Sequence, residues 1–124
     1  MPVLTPPVGH THEVGTTRFT SLATPRTGTV SNAVWSVEIA PGTPATPHSL
    51  TAEELFVVRS GVARLRIGDA DDVARAGDVI VIPADEVFEL SNASREPLLM
   101  WCCLPVGGQA RMADGTTFTP PWAE

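Results

Sequence analysis

The chain of 124 residues contains no lysine and no tyrosine. Schiff-base chemistry on a lysine amine and proton transfer from a phenolic hydroxyl are therefore excluded. Its two cysteines, Cys102 and Cys103, are adjacent. Neighbours in an extended segment project to opposite faces, so they suit no intrachain disulfide, and a reducing compartment is expected. Positive charge is scarce, and the formal net charge is -6. No basic footprint for nucleic acid or an anionic membrane is present, so neither is expected as a partner. The sequence also lacks an apolar run of membrane-spanning length and the basic, then apolar, start of a signal peptide. A cytoplasmic location is the expectation.

What is present reads as one domain. At this length folding buries roughly two thirds of the unfolded surface, enough for a core without disulfides or a structural metal. From Phe19 onward, short apolar stretches alternate with turn signals every 8–12 residues or so, the pattern of an all-β sandwich or barrel. Strands are expected near residues 19–23, 30–40, 46–50, 55–59, 63–67, 72–75, 79–82, 87–91 and 98–104. Ser60-Gly61, Gly68-Asp69, Gly77-Asp78 and Pro83-Ala84-Asp85 punctuate them. Residues 1–16 read as an arm or a first edge strand. The barrel then spans 17–104, and a mostly irregular tail, 105–124, packs on it with Trp122 as an anchor.

Two glycine-anchored blocks stand out: Gly42…His48-x-Leu50…Glu54…Gly61, then Gly77…Pro83…Phe88…Asn92. Together they resemble the paired motifs of the cupin family, over roughly Val34 to Leu104. The resemblance implies a cupin-type, jelly-roll-like antiparallel β-barrel around a ligand pocket, and commonly a homodimer. In the usual family pattern the first block supplies His, His and Glu and the second a third His, all binding one metal. Here the second and fourth of those places are Leu50 and Phe88, and a glycine expected after Pro83 is Asp85. The resemblance also makes Thr51–Leu55 a turn entering a strand rather than a turn of helix.

Alternation along strands assigns faces. His48 and Leu50 point the same way; Glu54, Phe56 and Val58 share a face; so do Phe88 and Leu90, and Trp35, Val37 and Ile39. Trp35, Leu50, Phe56, Phe88 and Trp101 are the expected walls of a pocket for a hydrophobic small molecule, the last depending on strand register. Arg64 and Arg66 alternate with Ala63, Leu65 and Ile67 and belong outside.

A catalytic metal normally takes three protein ligands and leaves one position open. His48 and Glu54 supply two, so no metal and no cofactor is expected. The alternative is a metalloenzyme whose site is completed by His10 and His12, which share a face if the arm is extended. Without metal, an apolar surround raises a carboxylic acid's pKa and lowers an imidazole's, while mutual attraction restores charge on both. Such a pair suits acid–base catalysis of isomerase, cyclase or lyase type on a hydrophobic metabolite, and not oxygen activation. The resemblance points the same way, since cupins include small enzymes of secondary metabolism. The rival is a non-catalytic binding or sensing module that keeps the pocket and uses the pair as a polar anchor. Two lesser candidates are a thiol of Cys102 or Cys103 lying near His48 and the proline amine that a Met1-Pro2 start exposes after methionine removal.

Overall fold

The computed structural model describes residues 2–124; Met1, and with it the expectation placed on the Met1-Pro2 start, lies outside them. Twelve strands follow one another: β1 (His12–Val14), β2 (Thr17–Ala23), β3 (Asn32–Ile39), β4 (Ser49–Leu50), β5 (Glu54–Ser60), β6 (Val62–Ile67), β7 (Ala70–Arg75), β8 (Val79–Ile82), β9 (Phe88–Asn92), β10 (Leu98–Pro105), β11 (Ala110–Arg111) and β12 (Thr117–Phe118). Among the described residues there is no α-helix, and none that could cross a membrane.

All pairings are antiparallel. A six-stranded sheet has the order β1-β2-β3-β10-β5-β8, and two three-stranded sheets have the orders β7-β6-β9 and β12-β11-β4. The small sheets continue one another through His48 and Phe88. The His48 N–H donates to the Phe88 carbonyl at 3.2 Å, and the Phe88 N–H returns to the His48 carbonyl at 2.9 Å. The result is a jelly-roll-like sandwich of the cupin type whose two layers do not close into a continuous barrel.

Period-two patterning sets the core. Ala33, Trp35, Val37 and Ile39 on β3, Phe56 and Val58 on β5, and Leu98, Met100, Cys102 and Leu104 on β10 all point inward. Register aligns these rows, with Cys102 opposite both Trp35 and Phe56. Slipping β5 by one residue would turn Arg59 inward and Glu54 outward, so burial of one face pins the pairing.

Three expectations change. The strand expected at 30–40 starts at Asn32. The one expected at 46–50 pairs only from His48, because Pro47 has no N–H to give a ladder. The tail is less irregular than its composition suggests: Ala110 and Arg111 pair with Leu50 and Ser49, and Phe118 and Thr117 pair outside them. The arm contributes β1 as an edge strand on β2.

Asp85 replaces a glycine of the family motif yet keeps glycine-like backbone, with φ at 66°. Aspartate tolerates that region better than most residues. Its N–H donates to the Leu50 carbonyl at 2.7 Å, and its carboxylate accepts from Arg111 Nη1 at 3.0 Å.

Gly61, in the turn between β5 and β6, has φ of 85°, and a Cβ there would lie 2.7 Å from the Pro97 carbonyl oxygen. Gly68 also has positive φ, 56°, but opens onto free space. Gly61→Ala is expected to lose about 2–4 kcal/mol in urea denaturation, backbone strain plus overpacking. Gly68→Ala should lose only about 1–2 kcal/mol, from strain alone.

Candidate functional site

A cavity of about 290 Å³ lies between the layers. It is lined by His48, Glu54, Trp35, Leu50, Phe56 and Phe88, six of the seven side chains the sequence pointed to. Trp101 is the exception. It sits on the outer face of β10, 43% exposed, with the Arg59 guanidinium 4.2 Å above its ring. The reason is register: Met100 and Cys102 take the inward places of β10, and Trp101 between them must face out.

Glu54 is the first residue of β5, opposite Ile82, and its side chain is 5% exposed. No hydrogen bond or ion pair reaches its carboxyl from the described residues, and burial alone pushes its pKa from 4.5 to about 8. Near neutral pH it is therefore a carboxylic acid, a proton donor rather than an anion. The mutual attraction expected between Glu54 and His48 is absent, since the two form no ion pair and burial is the sole cause of the shift.

His48 is held from two sides. Its Nδ1 lies 2.8 Å from the Thr46 carbonyl oxygen. A carbonyl can only accept, so Nδ1 carries the hydrogen and Nε2 of the neutral ring keeps a free lone pair. The ring leans on Phe88, 4.6 Å between centroids. The cavity thus holds a protonated carboxyl on the six-stranded layer and an imidazole with Nε2 free on the layer of the small sheets.

Other candidates lie elsewhere. His10 and His12 do not line the cavity; His10 pairs with Glu13 at 3.3 Å, and His12 Nδ1 meets the Thr11 hydroxyl at 2.8 Å. Cys102 does line it, but burial first, then Glu54 and Cys103, push its thiol well up, away from the reactive thiolate. Cys103 faces the other way and is also raised, chiefly by burial. Arg64 is outside, in a bidentate pair with Asp71.

Sequence reasoning missed part of the lining. Phe19, Phe118, Pro120 and Trp122 also line the cavity. Phe19 and Trp122 stack with centroids 3.6 Å apart and planes 7° apart, and the Ser21 hydroxyl donates to the Trp122 carbonyl at 2.7 Å. Phe19 was legible, since it shares a face of β2 with Thr17; Trp122 was expected as a packing anchor but not as cavity lining, and Phe118 and Pro120 carried no local signal.

A family model described as the cupin domain matches residues 35–105. Among solved structures, the plu4264 protein from Photorhabdus luminescens is similar at 28% identity and a TM-score of 0.65, over 77% of this chain and 78% of that one. A cupin-like protein, tm1010 from Thermotoga maritima, is 24% identical with a TM-score of 0.66, over 73% and 68%. The polyketide cyclase RemF from Streptomyces resistomycificus is 17% identical with a TM-score of 0.67, over 82% and 73%. The last two likenesses speak for the fold alone. No curated protein matches the chain in sequence.

The buried acid makes stability depend on pH. Unfolded, Glu54 loses its proton near 4.5; folded, near 8. Its folded pKa is the higher, so the stability it confers is complete below the first value and is lost as pH rises through the second. Urea denaturation is expected to show stability falling between about pH 5 and pH 8, by up to roughly 5 kcal/mol. Glu54→Gln should flatten that slope.

Proposed function

This chain belongs to the cupin family, and from that premise we propose that it is a metal-independent enzyme of isomerase, cyclase or lyase type. It acts on a hydrophobic small metabolite, with Glu54 as general acid and His48 as general base. The observation that carries the reading is the joint presence, in one apolar cavity, of a carboxyl kept protonated by burial and an imidazole whose Nε2 is free.

The step that suits this pair is proton abstraction beside a carbonyl. His48 Nε2 takes the proton from carbon, the electron pair moves into the new enol double bond, and Glu54 gives its proton to the carbonyl oxygen. His48 leaves as imidazolium and Glu54 as carboxylate; the imidazolium then gives its proton to the same or another carbon while the carboxylate takes back the enol oxygen's proton, which resets both. A neutral base and a neutral acid thereby become an ion pair inside a low-polarity cavity that disfavours separated charge. Each group acting in this way is worth about 10²–10⁴ in rate. The fold likeness to a polyketide cyclase agrees with this chemistry without carrying it.

The donor set does not fit the metal of the family pattern. Of the four family positions only His48 and Glu54 bear ligating atoms; Leu50 and Phe88 present hydrocarbon, each 2% exposed. Among the described residues no three His, Cys, Asp or Glu side chains gather in metal-binding geometry. The family's metal site is degenerate in this reading, and no step runs through a metal.

Exchange of the acidic protons of 2-tetralone in deuterated water, followed by NMR, tests the assignment. Wild-type protein should accelerate it, and His48→Ala and Glu54→Leu should each lower the rate by about 10²–10⁴. Rates unchanged in both variants would remove these residues from catalysis. Wild-type protein that binds 2-tetralone and exchanges nothing would favour the binding module instead.

The working unit in this reading is a cytoplasmic homodimer. Trp101, Val57 and Val79 sit side by side across β10, β5 and β8, as do Cys103, Leu55 and Val81, forming an apolar outer face. Val79 and Val81 are 56% and 53% exposed. Sedimentation equilibrium should give twice the 13.1 kDa chain mass. The outward double change Trp101→Asp and Val81→Asp should yield monomer with the cavity intact.

A further inference from the structure

All four phenylalanines of the chain line the cavity, as do two of its three tryptophans: Phe19, Trp35, Phe56, Phe88, Phe118 and Trp122. A generic apolar pocket draws on Val, Ile and Leu as readily. Here the aromatic side chains have been gathered in one place by β2, β3, β5, β9, β12 and the last turn. They present both faces and edges: Phe56 and Phe88 meet at 63° and 6.3 Å, while Phe19 and Trp122 lie parallel. Offset-stacked and edge-to-face contacts with an added ring gain about 0.5–1.5 kcal/mol each beyond the area they bury.

Charge narrows the class further. No arginine lines the cavity, and the chain has no lysine. A carboxylate, phosphate or sulfate entering it would be desolvated with no permanent cation to meet it, and could gain a partner only by protonating His48, at a cost of several kcal/mol. The titratable oxygen and nitrogen groups on the lining are one acidic O–H, on Glu54, and one ring nitrogen, on His48, with Thr17, Thr43 and Thr46 as the neutral polar residues beside them. The complement of that pair is a ligand with one acceptor and one donor: a carbonyl oxygen and a phenolic hydroxyl. At about 290 Å³ the cavity is at the small end for ligand pockets, room for about two or three fused rings.

We propose that the cavity selects an uncharged, fused-ring aromatic carrying a phenolic hydroxyl and a carbonyl, the hydroxyl donating to His48 Nε2 and the carbonyl accepting from Glu54. This deepens the acid–base reading and rests on it only for how the ligand is oriented. The rings discriminate against saturated analogues, and the missing cation discriminates against anions.

Calorimetric titration of the full chain near neutral pH with three isosteric probes tests the class: 2-naphthol, 2-naphthoate and decahydro-2-naphthol. The dissociation constant for 2-naphthol should be at least about ten-fold below those of the other two. His48→Ala should weaken 2-naphthol about 3–10-fold while leaving naphthalene unchanged, as loss of one hydrogen bond requires. Naphthoate or decahydro-2-naphthol binding as tightly as 2-naphthol would overturn the proposal, as would no 2-naphthol binding or an equal effect of His48→Ala on naphthalene. The two readings separate cleanly. Expected naphthol selectivity with no exchange of 2-tetralone upholds the ligand class and removes catalysis; exchange without that selectivity does the reverse.

Discussion

The reciprocal backbone hydrogen bonds between His48 and Phe88 are the contact on which the rest of this molecule turns. Without them β9 would be a free edge, and the short β4–β11–β12 group would have nothing beside it. The Asp85 N–H on the Leu50 carbonyl strengthens the same seam. Residues directly paired across antiparallel strands put their side chains on one face. The seam therefore delivers His48 and Phe88 together into the cavity, in ring contact.

Leu50 and Phe88 line the same cavity as Glu54, which sits on the other layer. Burial alone makes Glu54 less costly to keep protonated than ionised. The same dry wall that neutralises the acid also disfavours anions. The burial of a titratable group is a stability cost that a purely structural core would not carry, and such local conflicts concentrate at functional sites. Cys102 shares the environment and is driven the same way, to an unreactive thiol.

Part of the cavity lining comes from the far end of the chain. Trp122 reaches back to Phe19 and Ser21, and Arg26 meets the Glu124 side chain at 3.6 Å. Ala110 on Leu50 anchors the start of this return path. The tail is thus part of the cavity wall.

Much of this was readable along the chain. Trp35, Val37 and Ile39, and Glu54, Phe56 and Val58, alternate with more polar neighbours, so strand geometry alone puts each set on one face. The spacing of the two glycine-anchored blocks carried the fold, and the hydrocarbon at positions 50 and 88 carried the doubt about metal. Trp101 was not readable, because both faces of β10 are apolar and alternation cannot choose between two apolar rows; pairing with β3 and β5 decided it. Nor could the sequence show that Glu54 and His48 stay unpaired, or that Trp122 joins the cavity lining. Side-chain direction along one strand is a local property of the backbone, whereas the meeting of Ser21 with Trp122 is set only when both layers have packed.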